Sequence, residues 1–380
     1  MALCSLYPQC GGCKYCEYSE DEYRKHKYET FKNIIQNINQ DTINYGEPIF
    51  ISSGTRRRAT MAFSNIKKQF KLGFNASKSH EIIDCKYCPI LSQKLNDNLG
   101  NIRTFLQELC SEPYTYKKGK KLIKQGITNG DISLCDADNG IDITLELPFI
   151  PELNHRMIIS ENICKFSESI RVSWRTSSNA QPETIVEKIK PIIHNSGYNV
   201  YISAGTFLQA SKEGEQALIN LVLKYIGDKQ GKIADLFCGI GTFSYPLAQN
   251  KNNTIWAIDS SQELLNGFQS SVNKNQISNI KIEAKNLFKY PLDEKDLSSL
   301  DIVVFDPPRA GAKAQVEKLA TCSHAPSTVI AVSCNPHSFV NDANTLLAGG
   351  YTMTEITMVD QFIYSGHTEL VALFEKRNFL

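Results

Sequence analysis

The sequence lacks several features that would restrict its function. It has no uninterrupted apolar run near the roughly 18 residues of a membrane span. Its N-terminal segment, MALCSLYPQC, has no basic stretch followed by an apolar one, as a signal peptide would. There is no internal repeat, and 41 basic residues balance 40 acidic ones. We therefore expect a cytoplasmic protein with no membrane partner, and net charge leaves nucleic-acid binding open.

Length and cysteine content give the first positive indications. A single hydrophobic core rarely extends beyond about 250–300 residues, so 380 residues predict two domains. Twelve cysteines in a cytoplasmic chain of this length indicate metal binding or catalysis rather than disulfides. We expect the protein to act as a monomer.

The first half of the chain is typical of an irregular, mostly β domain. Residues 19–40 predict one charged helix. From residue 48 to 166, apolar residues alternate with polar ones between Gly and Asn turns, for example at Ala59, Met61 and Phe63. We predict a mostly β domain over residues 1–200, with the 19–40 helix either part of it or packed on the second domain.

After Gly197 the pattern changes to strands followed by helical stretches, which predicts βαβ units and a parallel sheet. The last two predicted strands have no full helix between them, as expected of a hairpin at a sheet edge. We therefore predict an α/β domain over residues 201–380.

A glycine loop lies where the first strand of the α/β domain meets a helix. It reads Asp235-Leu-Phe-Cys-Gly-Ile-Gly241, and glycines at such a junction let the backbone approach a ligand. Asp259 ends the next strand and could accept hydrogen bonds from both ribose hydroxyls of a nucleoside cofactor. A tight turn with a helix-capping acid is the alternative for an isolated G-x-G. The missing third glycine disfavours a nicotinamide dinucleotide.

Three polar segments follow later strands of the same domain: Asp306-Pro-Pro-Arg309, Ser333-Cys-Asn-Pro336 and His367-Thr-Glu369. A thiol such as Cys334 can add to carbon 6 of uracil and make carbon 5 nucleophilic. A carboxylate, for which we choose Glu369, must then remove the proton from carbon 5. Asp306 could recognise the uracil edge. Singly, Cys334 could be a buried small side chain, and Asp-Pro-Pro a strand-ending turn.

Together and in this order, the segments closely resemble those of the RNA 5-methyluridine (uracil-5-) methyltransferase family. The resemblance implies a class I, Rossmann-like domain that uses S-adenosylmethionine, with Cys334 as nucleophile, Glu369 as base and Asp306 at the site. Phe207-Leu-Gln209 is similar to the family's F-x-Q, which places Phe207 near the target base. The implied cofactor-binding residues are Gln209, Asp235, Phe237, Gly239, Gly241, Asp259, Asn286 and Asp306. Two residues after Gln209 the family usually has Asn, whereas this chain has Ser211, so the resemblance implies no contact at this position.

The first 16 residues are rich in cysteine. Cys4, Cys10 and Cys13 have the spacing C-x5-C-x2-C, and Cys88 is followed by Pro. Four thiolates suit a [4Fe-4S] cluster, but a zinc site including Cys85 would also fit, and Cys16 competes as a ligand. The iron-sulfur subgroup of the family has this spacing. The resemblance therefore implies cluster ligands at Cys4, Cys10, Cys13 and Cys88, with a structural role, since the reaction transfers no electrons.

Basic residues in the first half could bind RNA phosphates. Arg57 and Arg58 resemble an R-R-x-A segment of the family, and lysines follow at 67–71 and 117–124, although a solvated charged face is the alternative. The target uridine must leave its stack, so Phe207 is a candidate stacking partner. The chain resembles the short bacterial form that modifies 23S rRNA. The alternatives are transfer RNA as substrate, or an inactive RNA-binding assembly factor, against which the intact Cys334 and Glu369 argue.

Overall fold

A computed structural model describes residues 3–67, 69–166 and 168–376. The helices in these ranges are α1 (Glu20–Ile35), α2 (Gln93–Ser111), α3 (Leu153–Lys165), α4 (Lys212–Ile226), α5 (Ser244–Leu247), α6 (Gln262–Lys274), α7 (Glu294–Leu297), α8 (Lys313–Thr321) and α9 (Pro336–Ala348). None of these described helices is long and apolar enough to cross a lipid bilayer.

The strands fall into two large and two small sheets. They are β1 (Ile49–Phe50), β2 (Arg58–Ile66), β3 (Gln69–Asn75), β4 (Ile82–Asp84), β5 (Tyr114–Lys118), β6 (Lys121–Gln125), β7 (Asn129–Ala137), β8 (Gly140–Glu146), β9 (Ser169–Arg175), β10 (Glu183–Glu187), β11 (Ile192–Asn195), β12 (Tyr198–Tyr201), β13 (Lys232–Leu236), β14 (Thr254–Asp259), β15 (Ile280–Ala284), β16 (Ile302–Phe305), β17 (Thr328–Ser333), β18 (Tyr351–Asp360) and β19 (Glu369–Lys376).

The chain folds into two compact units. The first contains Met1–Ser19, Ser52–Ile193 and Ile202–Lys212, and its main sheet has the order β10-β9-β8-β7-β2-β3-β4. All neighbours are antiparallel except β8 and β9. In β2, the predicted inward residues Ala59, Met61 and Phe63 are buried. The first unit is therefore built mainly on β-structure.

Two helices of the first unit, α2 and α3, interrupt the region in which the sequence pattern predicts short strands. In α2 the buried side chains recur every three or four residues, which is the period of a helix, and they include Leu95, Leu99, Ile102, Leu106 and Leu109. The hydroxyl of Ser92 caps this helix by accepting from the Leu95 N–H at 3.4 Å. The helical period was present in the sequence but masked by the neighbouring strand patterns.

The second unit contains Glu20–Ile51, His194–Tyr201 and Glu213–Leu380. Its sheet has the order β1-β18-β19-β17-β16-β13-β14-β15 and is parallel except for β19. The predicted parallel sheet and the terminal β18–β19 hairpin are both present, although β1 pairs beyond β18. Strand order reverses at β13, and open α/β sheets bind ligands at the carboxyl ends of the strands beside such a reversal.

Helix α1 belongs to the second unit, so no single division at residue 200 separates the two parts of the chain. Phe31 and Ile35 are buried in the core of the second unit, and α1 packs against α9. The physical reason is the apolar face of α1, which covers side chains next to the sheet.

Candidate active site

The loop after β13 has the backbone of a ligand-binding turn. Phe237, Gly239 and Gly241 have φ values of +60°, +56° and +89°. A Cβ atom on Gly241 would lie 2.3 Å from the Phe268 ring, so no larger residue fits there. A Cβ atom on Gly239 would meet no described atom within 4 Å. The loop therefore leaves open space directly over its backbone at Gly239.

Asp259 ties the end of β14 to this loop. Its Oδ2 accepts from the Gly239 N–H at 3.0 Å and its Oδ1 from the Ser261 N–H at 2.9 Å. The side chain is half-buried. Two backbone N–H groups thus hold its carboxylate against the glycine loop.

Asp235 is more deeply buried than Asp259. It is fully buried, and its Oδ2 accepts from the Ser244 hydroxyl at 2.5 Å. Burial raises the pKa of Asp235 to about 7, and the nearby Asp306 and Asp259 carboxylates add to the increase. The side chain predicted to bind the cofactor therefore supports the loop from within the unit.

Asn286 and two aromatic rings lie near the carboxyl ends of β13 and β15. The Asn286 side-chain oxygen accepts from the N–H groups of Phe288 and Lys289 at 3.1 and 3.2 Å and so shapes the turn. The partly exposed Phe288 ring lies 5.3 Å from the Phe237 ring, centroid to centroid. The sequence reasoning missed Phe288, whose only signal was an aromatic residue two positions after the predicted Asn.

The sheet brings the three predicted chemical residues to one edge. Asp306 follows β16 and Cys334 follows β17, so both stand at carboxyl ends of parallel strands. Glu369 begins β19, which is antiparallel to β17 with Ser333 opposite Leu370. That register places Glu369 at the level of Cys334.

The charges of these three groups affect one another's pKa values. The half-buried Cys334 thiol has a pKa raised to about 11, first by burial and then by the Glu369 and Asp306 carboxylates. Arg309 lowers this pKa. Burial raises the pKa of Glu369 well above its ordinary range, and Asp306 raises it further. The Cys334 thiol therefore holds its proton at neutral pH in the RNA-free protein.

Gln361 is a site residue that the sequence reasoning missed. Its Nε2 donates to Glu369 Oε1 at 3.2 Å, which lowers the pKa of this carboxyl. Glu369 Oε2 is buried and has no hydrogen-bond partner among the described residues. A carboxyl held at one oxygen and unpartnered at the other can accept a proton from a bound molecule.

The Ser-Cys-Asn-Pro segment begins helix α9. Asn335 is the N-cap, with its side-chain oxygen accepting from the His337 N–H at 3.2 Å, and Pro336 occupies the first helical turn. The Asn335 amide also donates to the Arg309 carbonyl at 3.0 Å. Helix capping thus fixes the backbone next to Cys334.

The predicted RNA-contacting residues of the first unit contact each other. Phe207 is exposed, and the Arg58 guanidinium lies 4.6 Å from the centre of its ring. Arg58 Nη1 donates to the Leu208 carbonyl at 2.6 Å, and Arg57 Nε donates to the Gln209 carbonyl at 3.0 Å. Arg57 is buried, so its side chain holds the 207–209 segment within the unit rather than standing at the surface, because carbonyl hydrogen bonds compensate for its burial.

The cysteines of the first unit form one electrostatic neighbourhood. Burial raises the pKa of the Cys10 thiol, and the charges of Cys88 and Cys4 raise it further. The neighbouring Cys16 and Cys88 raise the pKa values of the Cys13 and Cys85 thiols. Within the described ranges, no group of three or more His, Cys, Asp or Glu side chains is arranged to hold a metal ion. Thiolates are the ligands that iron-sulfur clusters use, so these residue types fit such a cluster. The described side chains are not arranged around a single point as metal ligands would be.

The sheet order, the glycine loop and the acid after β14 define a class I S-adenosylmethionine-dependent methyltransferase fold. A similar fold is found in the tRNA (uracil-54, C5)-methyltransferase of Pyrococcus abyssi, solved with S-adenosyl-L-homocysteine. The TM-score is 0.72 at 21% identity, over 97% of this chain and 86% of that one.

Comparison of sequences narrows the class. The family model for tRNA (uracil-5-)-methyltransferases matches residues 181–377. An uncharacterized RNA methyltransferase of Agrobacterium fabrum is 31% identical over 97% of this chain and 82% of that relative. The 23S rRNA (uracil(1939)-C(5))-methyltransferase RlmD of Aliivibrio salmonicida is 27% identical over 98% of this chain and 82% of its own.

The chain belongs to the tRNA (uracil-5-)-methyltransferase family. It is an S-adenosylmethionine-dependent RNA uracil-5 methyltransferase.

Proposed function

We propose that this enzyme methylates carbon 5 of one uridine in 23S rRNA through a covalent adduct between Cys334 and uracil. The observation that carries the mechanism is the strand register: Ser333 of β17 pairs with Leu370 of β19, so Cys334 and Glu369 are neighbours at the sheet edge, and Asp306 follows the adjacent β16. S-adenosylmethionine supplies an electrophilic methyl group when bound.

The first step is addition of the Cys334 sulfur, as thiolate, to carbon 6 of uracil. The electron pair of the carbon 5–carbon 6 double bond moves toward oxygen 4, so carbon 5 becomes nucleophilic and takes the methyl group. Because burial and the carboxylates raise the thiol pKa to about 11, the free enzyme keeps this thiol protonated. Productive ionisation therefore depends on bound RNA.

The second step removes the proton that carbon 5 still carries. Glu369 accepts it, the carbon 5–carbon 6 double bond re-forms, and the bond from carbon 6 to the Cys334 sulfur breaks with release of thiolate. A carboxylate with a raised pKa is a stronger base than an ordinary one, which suits the low acidity of this proton. The unpartnered Glu369 Oε2 is the atom that receives it.

We assign Asp306 to recognition of the uracil edge by accepting from N3–H. It follows β16, beside Cys334, and its negative charge raises the pKa of both catalytic groups. A carboxylate here that accepts a hydrogen bond from uracil loses part of its effect on Cys334, which lowers the thiol pKa when substrate binds.

The residues around the glycine loop fit the cofactor. The open space over Gly239 leaves room for a ligand against the backbone, and the Asp259 carboxylate is held beside it for the ribose hydroxyls. We assign Phe237 and Asn286 to the adenine end of the cofactor, while the role of Gln209 stays a prediction from the sequence.

Two features of the first unit suit RNA. The exposed Phe207 ring, backed by Arg58, offers a stacking surface for an unstacked base. The β5–β6 hairpin, residues 114–125, carries five exposed lysines, and no acidic residue occurs between Glu112 and Asp131. Lys118 and Lys121 stand directly opposite each other, and like charges in such a pair repel. Bound RNA phosphates would neutralise this repulsion.

We also propose that Cys4, Cys10, Cys13 and Cys88 hold a [4Fe-4S] cluster with a structural role. The thiols act on one another electrostatically, and thiolates are the ligands that such clusters use. The test is iron and sulfide analysis of enzyme purified without oxygen. Four irons and four sulfides are expected, whereas zinc or no metal would refute the assignment.

The ribosomal substrate is supported by the RlmD relatives, and the family model and the Pyrococcus enzyme give transfer RNA as the second candidate. Either substrate would place the enzyme in the cytoplasm, and we propose that it acts as a monomer. The test is mass mapping of 23S rRNA from cells lacking the gene. Loss of one 5-methyluridine, restored by wild type but not by Cys334→Ala, is expected; unchanged rRNA and altered tRNA would move the substrate to tRNA.

A further inference from the structure

The loop of residues 361–368 joins β18 to β19 and separates the proposed base from its hydrogen-bond partner. It begins with Gln361, which hydrogen-bonds Glu369, and it leads directly into Glu369 itself. Its geometry therefore fixes where the Glu369 carboxyl stands. Two side chains of helix α1, more than 330 residues earlier in the sequence, hold this loop.

The first is Lys27, a lysine that is only 3% exposed. Its ammonium donates to the carbonyls of Ser365 and His367 at 2.7 and 2.5 Å, and lies 3.2 Å from Asp360 Oδ1. The ammonium therefore hydrogen-bonds two carbonyls of the loop and forms an ion pair with the Asp360 carboxylate. The loop is thus held at both ends, before Gln361 and two residues before Glu369.

The second is Tyr23, whose hydroxyl donates to Asp360 Oδ2 at 2.5 Å and accepts from the Tyr364 N–H at 2.9 Å. Tyr364 has φ +57°, a conformation that a non-glycine residue adopts only when its surroundings impose it. The two rings are 4.7 Å apart. Tyr23 therefore holds the middle of the loop in a strained conformation.

A requirement for stability alone explains this arrangement poorly. A buried ion pair can usually be replaced by apolar side chains of similar size without loss of stability. What apolar side chains cannot do is hold the Ser365 and His367 carbonyls and a carboxylate around one ammonium.

We infer that Lys27, with Asp360 and Tyr23, is a positioning residue that sets the Glu369 carboxyl for proton removal from carbon 5. The inference rests on the proposed role of Glu369 as base. It gives a role in positioning the base to α1, which precedes the residues 181–377 that the family model matches.

The test separates positioning from folding. The double variant Lys27→Met/Asp360→Asn removes the loop contacts of the ammonium without leaving an unpaired buried carboxylate. Tyr23→Phe is a milder second variant, and Lys25→Met, at an exposed position of the same helix, is the matched control. Each is compared with Glu369→Gln for turnover per folded enzyme and for the fraction of RNA covalently linked to protein in denaturing gels, with full-length 23S rRNA transcript and S-adenosylmethionine.

We expect the double variant to lose at least about tenfold in kcat, since misplacing a catalytic group by about 1 Å can cost about 100-fold. We also expect linked RNA to accumulate, as in Glu369→Gln, because the adduct forms but resolves slowly; Tyr23→Phe should change both in the same direction. Turnover equal to that of Lys25→Met, or lower turnover without more linked RNA, would overturn the inference. If Glu369→Gln itself accumulates no adduct, the proposed base fails instead.

Discussion

The protonation of Cys334 in the free enzyme gives a prediction that can be worked out numerically. With a pKa of about 11, about one Cys334 thiol in 1,000 is ionised at pH 8, against roughly one in four for a thiol with the usual pKa of about 8.5. Only the thiolate reacts with alkylating reagents. The RNA-free enzyme should therefore be alkylated at Cys334 about tenfold faster for each pH unit from 7 to 10.

The assay is iodoacetamide labelling over this pH range, with mass spectrometry of the Cys334 peptide and the exposed Cys164 as internal reference. Since the Glu369 and Asp306 carboxylates raise the thiol pKa, Glu369→Gln and Asp306→Asn should speed labelling of Cys334 at pH 8. A labelling rate that levels off below pH 9, or slower labelling in both variants, would refute the electrostatic account.

Three further changes test other parts of the account. Gly241→Ala places a Cβ atom against the Phe268 ring and should weaken S-adenosylmethionine binding at least about tenfold in calorimetry; unchanged affinity would contradict the loop assignment. Lys118→Gln/Lys121→Gln should reduce the slope of log affinity for RNA against log salt concentration by about 1.4 to 1.8, whereas an unchanged slope would remove the hairpin from the interface. Cys88→Ala should abolish iron binding measured after anaerobic purification, and full iron content would exclude this ligand.

Short motifs at strand ends made much of the second unit predictable. Each of these motifs follows or begins a recognisable strand: the glycine loop and Cys334 follow one, and Glu369 begins one. The carboxyl ends of parallel strands lie at one edge of the sheet, so the motifs could be expected to lie close together. The alternation of strands and helices also predicts the parallel sheet, but not its strand order.

Contacts between residues distant in sequence could not be predicted in the same way. The helical period puts Lys27 on the same face of α1 as Tyr23 and Phe31, but nothing local to it indicates which groups would pair with a buried ammonium there. Arg57 belongs to a run of three arginines that a solvated face would explain equally well, yet it is buried. Burial of a charged group depends on carbonyls supplied by remote segments, which local periodicity does not record.

The central claim is that Cys334 forms a covalent bond with uracil during methyl transfer. The most direct test is incubation of the enzyme with S-adenosylmethionine and an RNA substrate containing 5-fluorouridine, in which fluorine replaces the proton that Glu369 must remove. We predict a stable protein–RNA adduct that carries the new methyl group, maps to Cys334 by mass spectrometry and is absent from Cys334→Ala. An adduct at another residue, or methylation of ordinary RNA by Cys334→Ala, would contradict the account.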